Sequence, residues 1–299
     1  MTQVQHESMP DILRGADVLV KAKTGTGKTL AFLVPSIEVL IQERAKVALA
    51  NRARPGSCPP ARILVLSPTR ELAQQIVKEA TALCAFHNIG CALLVGGTNI
   101  NSEANRLKRA CEGHSDIIVA TPGRMLAHLK ETEGFAEQVK GVKVYIMDEA
   151  DRLLDMGFKR DIDQITNFLN KRNAAALGQR QTLLFSATLA PTIREIARQT
   201  LLPGYKSIDT VGEEVEQTHS HVPQRVMCAP LDQQLRVIVQ LIEQHQQQSA
   251  GNFKIILFFP TARQTGYYAS VLNSVGLPTL EIHSRKSQGH RTKVSEQFR

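Results

Sequence analysis

Ala22-Lys23-Thr24-Gly25-Thr26-Gly27-Lys28-Thr29 decides the reading of this chain. It follows a short β-prone run, Asp17-Val18-Leu19-Val20-Lys21, and leads into a helical run, Leu30-Ala31-Phe32-Leu33. A strand, a glycine-rich turn, Gly-Lys-Thr and a helix describe a phosphate cradle. Glycines let backbone N–H groups converge on an anion, and the helix N-terminus adds the positive end of its dipole. Lys28 is then placed to reach the outer phosphates of a triphosphate, and Thr29 to offer a hydroxyl to Mg²⁺. The general pattern has Gly where Ala22 stands, a difference of one methyl. A plain glycine turn between strand and helix is the competing reading, and the segments below decide between the two.

At 299 residues, the length suggests about two domains. A hydrophobic fraction of 42% with 21% charged residues suits a globular chain with real cores. No apolar run approaches the roughly 18 residues of a membrane-crossing helix, and Met1-Thr2-Gln3-Val4-Gln5 does not read as a signal or transit segment. An intracellular protein without a membrane partner is expected. The net charge of +8 favours a polyanionic partner. The five cysteines have no C-x-x-C spacing, which opposes a zinc site or disulfide framework and suits a reducing compartment. Aromatic residues make up 5% and Trp is absent, so base stacking is not the main binding mode.

Short β-branched runs alternate with helical periods. Strands are predicted at 18–21, 62–66, 91–95, 116–120, 142–147 and 181–185, with helices between them, for example 71–85 and 101–111. This alternation predicts an α/β fold, a doubly wound, mostly parallel sheet covered on both faces. In such sheets ligands sit beyond the carboxyl ends of the strands. Residues 51–61, centred on Pro55-Gly56-Ser57-Cys58-Pro59-Pro60, read as a loop. Periodicity fades again near 209–223, dividing the chain into a first domain at 1–208, a linker at 209–223 and a second, partial α/β domain at 224–299. The second part is expected to hold helices at 232–247, 262–275 and 287–299 and strands at 254–259 and 279–283. The Gln-rich patch 244–248 reads as a solvated helix end. The pattern stops inside a helix, so a fragment of a longer protein is expected.

Val142-Lys143-Val144-Tyr145-Ile146-Met147 ends in Asp148-Glu149-Ala150-Asp151. A carboxylate at a strand end beside a phosphate loop can hold Mg²⁺ through water, and its neighbour can orient or deprotonate an attacking water. Asp148 takes the first role and Glu149 the second. The competing reading is an acidic helix start favoured by the dipole. Two corners share one construction: Ser67-Pro68-Thr69-Arg70 after the strand 63–66, and Thr121-Pro122-Gly123-Arg124 after 117–120. Each sets a hydroxyl residue at an N-cap, Pro at N1 and Arg at N3. Each is good capping, and each offers free N–H groups and a guanidinium to a phosphodiester. Gly96-Gly97-Thr98 adds a third backbone approach, and Pro260-Thr261-Ala262-Arg263 echoes the corner in the second part. Contacts of this kind position a strand without reading its sequence. The hydroxyls of Ser186 and Thr188 in Ser186-Ala187-Thr188 are candidates to bond Asp151 and join the two surfaces. The Gln5 amide suits the edge of one base.

These segments together resemble the DEAD-box family of ATP-dependent RNA helicases. The matches are Val4-Gln5 with Pro10, AKTGTGKT at 22–29, PTREL at 68–72, Gly96-Gly97, TPGR at 121–124, DEAD at 148–151 and SAT at 186–188, in the family's order. Leu257-Phe258-Phe259-Pro260-Thr261 and Gln288-Gly289-His290-Arg291 extend the likeness. The resemblance implies two RecA-like domains, the second incomplete here, that close on ATP, Mg²⁺ and single-stranded RNA. It implies a catalytic set of Lys28, Asp148, Glu149, Asp151, Ser186 and Thr188. Nucleotide contacts would come from Gln5 and residues 22–29, and metal contacts from Thr29 and, through water, Asp148. RNA contacts would come from Pro68, Thr69, Arg70, Gly96, Gly97, Thr121, Pro122, Gly123, Arg124, Thr261, Arg263 and Arg291. A monomer is expected. The family's arginine-bearing H-R-x-G-R-x-G-R element would lie beyond Arg299, and such arginines contribute roughly 10³–10⁵ in rate. This chain is therefore expected to be a poorly active form. The alternatives are a non-catalytic ATP- and RNA-binding fragment and another phosphate-loop enzyme. The ordered motifs argue against the latter.

Overall fold

The computed structural model describes residues 1–49, 61–110, 115–172, 180–212, 222–249 and 253–298. The predicted loop lies almost wholly outside these residues, and so does most of the predicted linker. The chain forms two compact units, Met1–Gln217 and Thr218–Arg299.

The first unit contains, in chain order, α1 (Gln3–Leu13), β1 (Val18–Lys21), α2 (Lys28–Leu49), β2 (Ile63–Leu66), α3 (Arg70–Leu83), β3 (Cys91–Leu94), α4 (Ile100–Ala110), β4 (Ile117–Ala120), α5 (Pro122–Glu131) and α6 (Phe135–Gln138). After a 3-10 turn follow β5 (Val144–Met147), α7 (Ala150–Asp155), α8 (Lys159–Arg172), β6 (Gln181–Ser186), α9 (Pro191–Thr200) and β7 (Lys206–Asp209). The seven strands form one sheet in the order β3-β4-β2-β5-β6-β1-β7, with every pairing parallel.

β2, β4, β5 and β6 are buried along their whole length. A strand covered on both faces is mostly apolar, which is why β2, β4 and β5 read as unbroken hydrophobic runs, while β6 flanks its apolar Leu183–Phe185 with buried Gln181, Thr182 and Ser186. Successive side chains then alternate between two cores. Leu64, Leu66, Ile118, Tyr145, Met147 and Leu184 join one face with Met125, Leu153, Ile165 and Ile196 from α5, α7, α8 and α9. Ile63, Val65, Ile117, Ile146 and Phe185 join the other with Val4, Phe32, Leu33 and Ile76 from α1, α2 and α3.

The edges differ. β3 is only partly buried and β7 is mostly exposed, with Ile208 alone facing inward. A short polar edge strand resists pairing with other chains, and it also carries almost no sequence signal. β7 and α1 are elements that the sequence pattern does not announce. Asp17, at the threshold of β1, accepts from the N–H groups of Thr182 and Leu202, both at 2.8 Å. It thereby ties together the starts of β1 and β6 and the end of α9.

The second unit carries α10 (Leu231–Gln248), α11 (Ala262–Ser274) and α12 (Gln288–Phe298), close to the predicted helices. The predicted strands at 254–259 and 279–283 are not strands. Neither is assigned to an element; exposure alternates residue by residue along both, and neither pairs with a partner among the described residues. Extended backbone becomes a strand only through a ladder of hydrogen bonds, and local pattern cannot supply the partner.

Candidate nucleotide and nucleic-acid site

The register aligns the sequence motifs. Leu94, Ala120, Leu66, Met147 and Leu184 form one row across β3, β4, β2, β5 and β6. Because all strands are parallel, the motifs that follow them in the first unit emerge at the same carboxyl edge. The phosphate loop, Asp148 and Ser186 follow β1, β5 and β6, three neighbouring strands. The Thr69, Gly96–Gly97 and Thr121 corners follow β2, β3 and β4, which neighbour one another on the other side of β5. The two halves meet where the Asp148 N–H donates to the Leu66 carbonyl at 2.9 Å.

In the loop, Gly25 and Gly27 have φ of +76° and +87°, values that exclude an ordinary side chain. Ala22 is buried and still in register, its N–H donating to the Ser186 carbonyl at 3.0 Å, so this position does not need glycine. Lys28 folds back so that Nζ donates to the Ala22 carbonyl at 3.1 Å, and Thr29 is half-buried beside it. Gln5 braces the loop from α1. Its Oε1 accepts from the Thr2 N–H at 2.9 Å and its Nε2 donates to the Gly27 carbonyl at 3.2 Å.

Asp148 is 3% exposed, and its Oδ1 has no hydrogen-bond partner. Burial pushes its pKa up to about 7, opposed first by the charge of Lys28 and reinforced by Glu149 and Asp151. A buried carboxylate with one open oxygen, under the charge of Lys28, fits a Mg²⁺ site. Glu149 is the only non-glycine residue with positive φ (48°) among the described residues, and it caps α7. Backbone strain of this kind costs roughly 1–3 kcal/mol and persists where the surroundings enforce it. Its Oε2 accepts from Arg152 Nη1 at 3.0 Å.

The expected hydroxyl bonds to Asp151 are not the link that forms. Asp151 Oδ2 accepts instead from the Ala187 backbone N–H at 3.2 Å, while Ser186 Oγ accepts from the Thr188 N–H at 3.4 Å. The turn after β6 points its backbone, rather than its hydroxyls, at the carboxylate.

The two corners also differ from each other. Thr121 holds the N-cap position of α5 with Pro122 at N1 and Arg124 at N3, as expected, but its hydroxyl makes no capping hydrogen bond. At the other corner the cap is Thr69, whose Oγ1 accepts from the Leu72 N–H at 3.2 Å, so Arg70 is the first helical residue. Ser67, fully buried, instead continues the sheet edge through its N–H to the Ala120 carbonyl. Pro68 thus lies outside the helix.

The Arg70 guanidinium lies over Gly96 and Gly97; a Cβ at Gly96 would come within 3.1 Å of Nη2, and one at Gly97 would collide with the guanidinium. Gly97 also has φ of +83°. Arg124 is turned inward, donating from Nε to the Val95 carbonyl at 3.0 Å and from Nη2 to the Thr98 carbonyl at 2.5 Å. Gly123 sits in the first turn of α5 near Asp161, with room for a methyl. In the second unit, Thr261 caps α11, Arg263 is exposed on it, and Arg291 Nη2 donates to Gln288 Oε1 at 2.5 Å. Sequence reading missed Glu103 and His128, which are buried behind the Gly96–Thr98 loop. No local spacing signals a pair that only the packing of α4 and α5 brings together.

Comparison with known proteins agrees with this geometry. The family model for DEAD/DEAH box helicases matches residues 2–196. The chain is 46% identical to DEAD-box ATP-dependent RNA helicase 26 of Oryza sativa subsp. japonica, over all of this chain and 52% of that protein. It is 44% identical to DEAD-box ATP-dependent RNA helicase 25 of Arabidopsis thaliana, over all of this chain and 50% of that protein. The chain spans about half the length of the curated relatives it matches. Among solved structures it resembles the DEAD-box helicase Mss116 bound to ssRNA and UDP-BeF, with a TM-score of 0.85 and 30% identity over 99% of this chain and 58% of that one.

Proposed function

The chain belongs to the DEAD-box RNA helicase family, and on that premise we propose that it is the part of an ATP-dependent RNA helicase that binds ATP, Mg²⁺ and single-stranded RNA. In the longer protein these ligands would couple hydrolysis to local strand separation. One observation carries the reading: Asp148 lies buried with an open oxygen, under the charge of Lys28, where the phosphate-loop strand and the strand preceding Asp148 flank β6. No purely structural role requires a buried carboxylate there.

Residues 22–29 hold the triphosphate, and Gln5 meets the base. Thr29 and, through water, Asp148 hold Mg²⁺, which offsets charge on the phosphates. Glu149 orients the attacking water, fixed by its strained cap and by Arg152. Asp151, held by the Ala187 N–H of the Ser186–Thr188 turn, links this site to the RNA surface. That surface comprises Pro68, Thr69, Arg70, Gly96, Gly97, Thr121, Pro122, Gly123 and Arg124; in the second unit, considered by itself, Thr261, Arg263 and Arg291 are RNA contacts. A first domain at 1–208, a linker at 209–223 and a second domain at 224–299 belong to the same proposal, as do a monomeric state and an intracellular location. The test is binding of a fluorescent ATP analogue with Mg²⁺, and ATPase activity with and without RNA. Lys28→Ala is expected to weaken analogue binding at least tenfold. Wild-type affinity in that variant would overturn the nucleotide assignment.

A further inference from the structure

Behind the glycine loop lies a closed polar network. Glu103, on the first turn of α4, is 2% exposed, and His128, on α5, is fully buried. Thr98 Oγ1 lies 2.5 Å from Glu103 Oε1, and His128 Nε2 lies 2.9 Å from Glu103 Oε2. Arg124 Nε stands 3.5 Å from the same Oε2. His128 Nδ1 lies 2.8 Å from Thr132 Oγ1. Burial would raise the Glu103 pKa, but the bonds from His128 and Thr98 and the charge of Arg124 outweigh it, and the net shift is downward. An ionised Glu103 needs a donor at each oxygen.

The direction of these bonds gives the network a task. Arg124 grips the Val95 and Thr98 carbonyls, Thr98 grips Glu103, and the loop so held is the bed on which Arg70 lies. We propose that Glu103 and His128 are positioning residues for RNA. They hold Arg124 against residues 95–98, so that the Gly96–Gly97 backbone and the Arg70 guanidinium meet a phosphodiester as one preformed surface. This rests on the RNA reading of the site. It also reassigns Arg124, whose guanidinium is committed to the loop, from phosphate contact to brace. A surface ordered beforehand binds more tightly because less freedom is lost on binding.

The test uses the full 299-residue chain, with a fluorescein-labelled oligouridine, a fluorescent ATP analogue and hydrogen exchange. Glu103→Ala should weaken RNA binding at least fivefold and leave the ATP analogue within twofold. It should also speed exchange of amides 95–99 at least threefold without changing 22–29. Glu103→Gln keeps an acceptor for Thr98 and a partner for His128, and should recover most of the RNA affinity. Unchanged exchange at 95–99, or parallel loss of both ligands, would refute the brace. A wild-type chain that binds the nucleotide but no RNA would refute the RNA reading itself, and the positioning role with it.

Discussion

At the residue scale, Asp148 shows how a site stores its readiness. A neutral carboxyl is at home in the protein interior and a charged one is not. Its pKa stands at about 7 in the folded chain against an ordinary value of 3.8. A raised folded pKa contributes stability that is complete below 3.8 and is lost as pH climbs to about 7. The change is at most about 4 kcal/mol. Asp148→Asn, neutral throughout, escapes that loss. In chemical denaturation without nucleotide, the variant and the wild type should match near pH 4, and the variant should become the more stable, reaching its full margin above pH 7. Equal stability at pH 8 would show that the buried charge costs nothing. Mg²⁺ with an ATP analogue should narrow the gap, because the wild-type carboxylate meets a cation that the neutral amide holds less tightly. Gly97 makes the complementary case. Gly97→Ala meets both a positive φ and the Arg70 guanidinium. It should cost about 1–2 kcal/mol and weaken RNA binding while sparing the nucleotide, as thermal melts and paired titrations will read.

At the element scale, the sheet works as a ruler. Aligned parallel strands bring separate motifs to one edge, and small anchors hold the alignment. Asp17 is such an anchor, accepting the buried Thr182 N–H of β6 and the part-buried Leu202 N–H after α9. Asp17→Ala leaves both donors unpaired, and an unsatisfied buried group costs about 1–3 kcal/mol. A shift of the denaturation midpoint equivalent to about 2–4 kcal/mol is expected; a change under about 0.5 kcal/mol would show that the strand starts are held otherwise. The same contrast explains what was legible in the sequence. β2, β4 and β5 were readable because burial on both faces favours unbroken apolar runs, β6 by its Leu183–Phe185 centre, and the phosphate loop because its glycines answer a backbone need. β7 escaped because an edge strand with one inward residue looks like a loop. α1 escaped because its residues are mostly polar and Pro10 interrupts them. The cap at Thr69 rather than Ser67 depended on where the sheet edge ends. Glu103 and His128 escaped because 25 residues separate them in sequence.

At the scale of the whole molecule, the two units differ in how much chain they bury. The first unit contributes nearly all the buried residues, in two cores pressed on opposite faces of a seven-stranded sheet. In the second, the buried hydrophobics among the described residues are Ala269, Leu272 and Val294, and α10 has none. Local opening is easiest where few apolar contacts resist it, and proteolysis samples those openings. Limited digestion should therefore cut within 222–298 first and leave a product close to residues 1–217, which still binds the ATP analogue. The measurement is mass spectrometry of timed aliquots. If both units disappeared at one rate, the second would be as firmly folded as the first, despite its sparse burial. If the surviving product lost the analogue, nucleotide binding would depend on more than the sheet edge that carries Lys28 and Asp148.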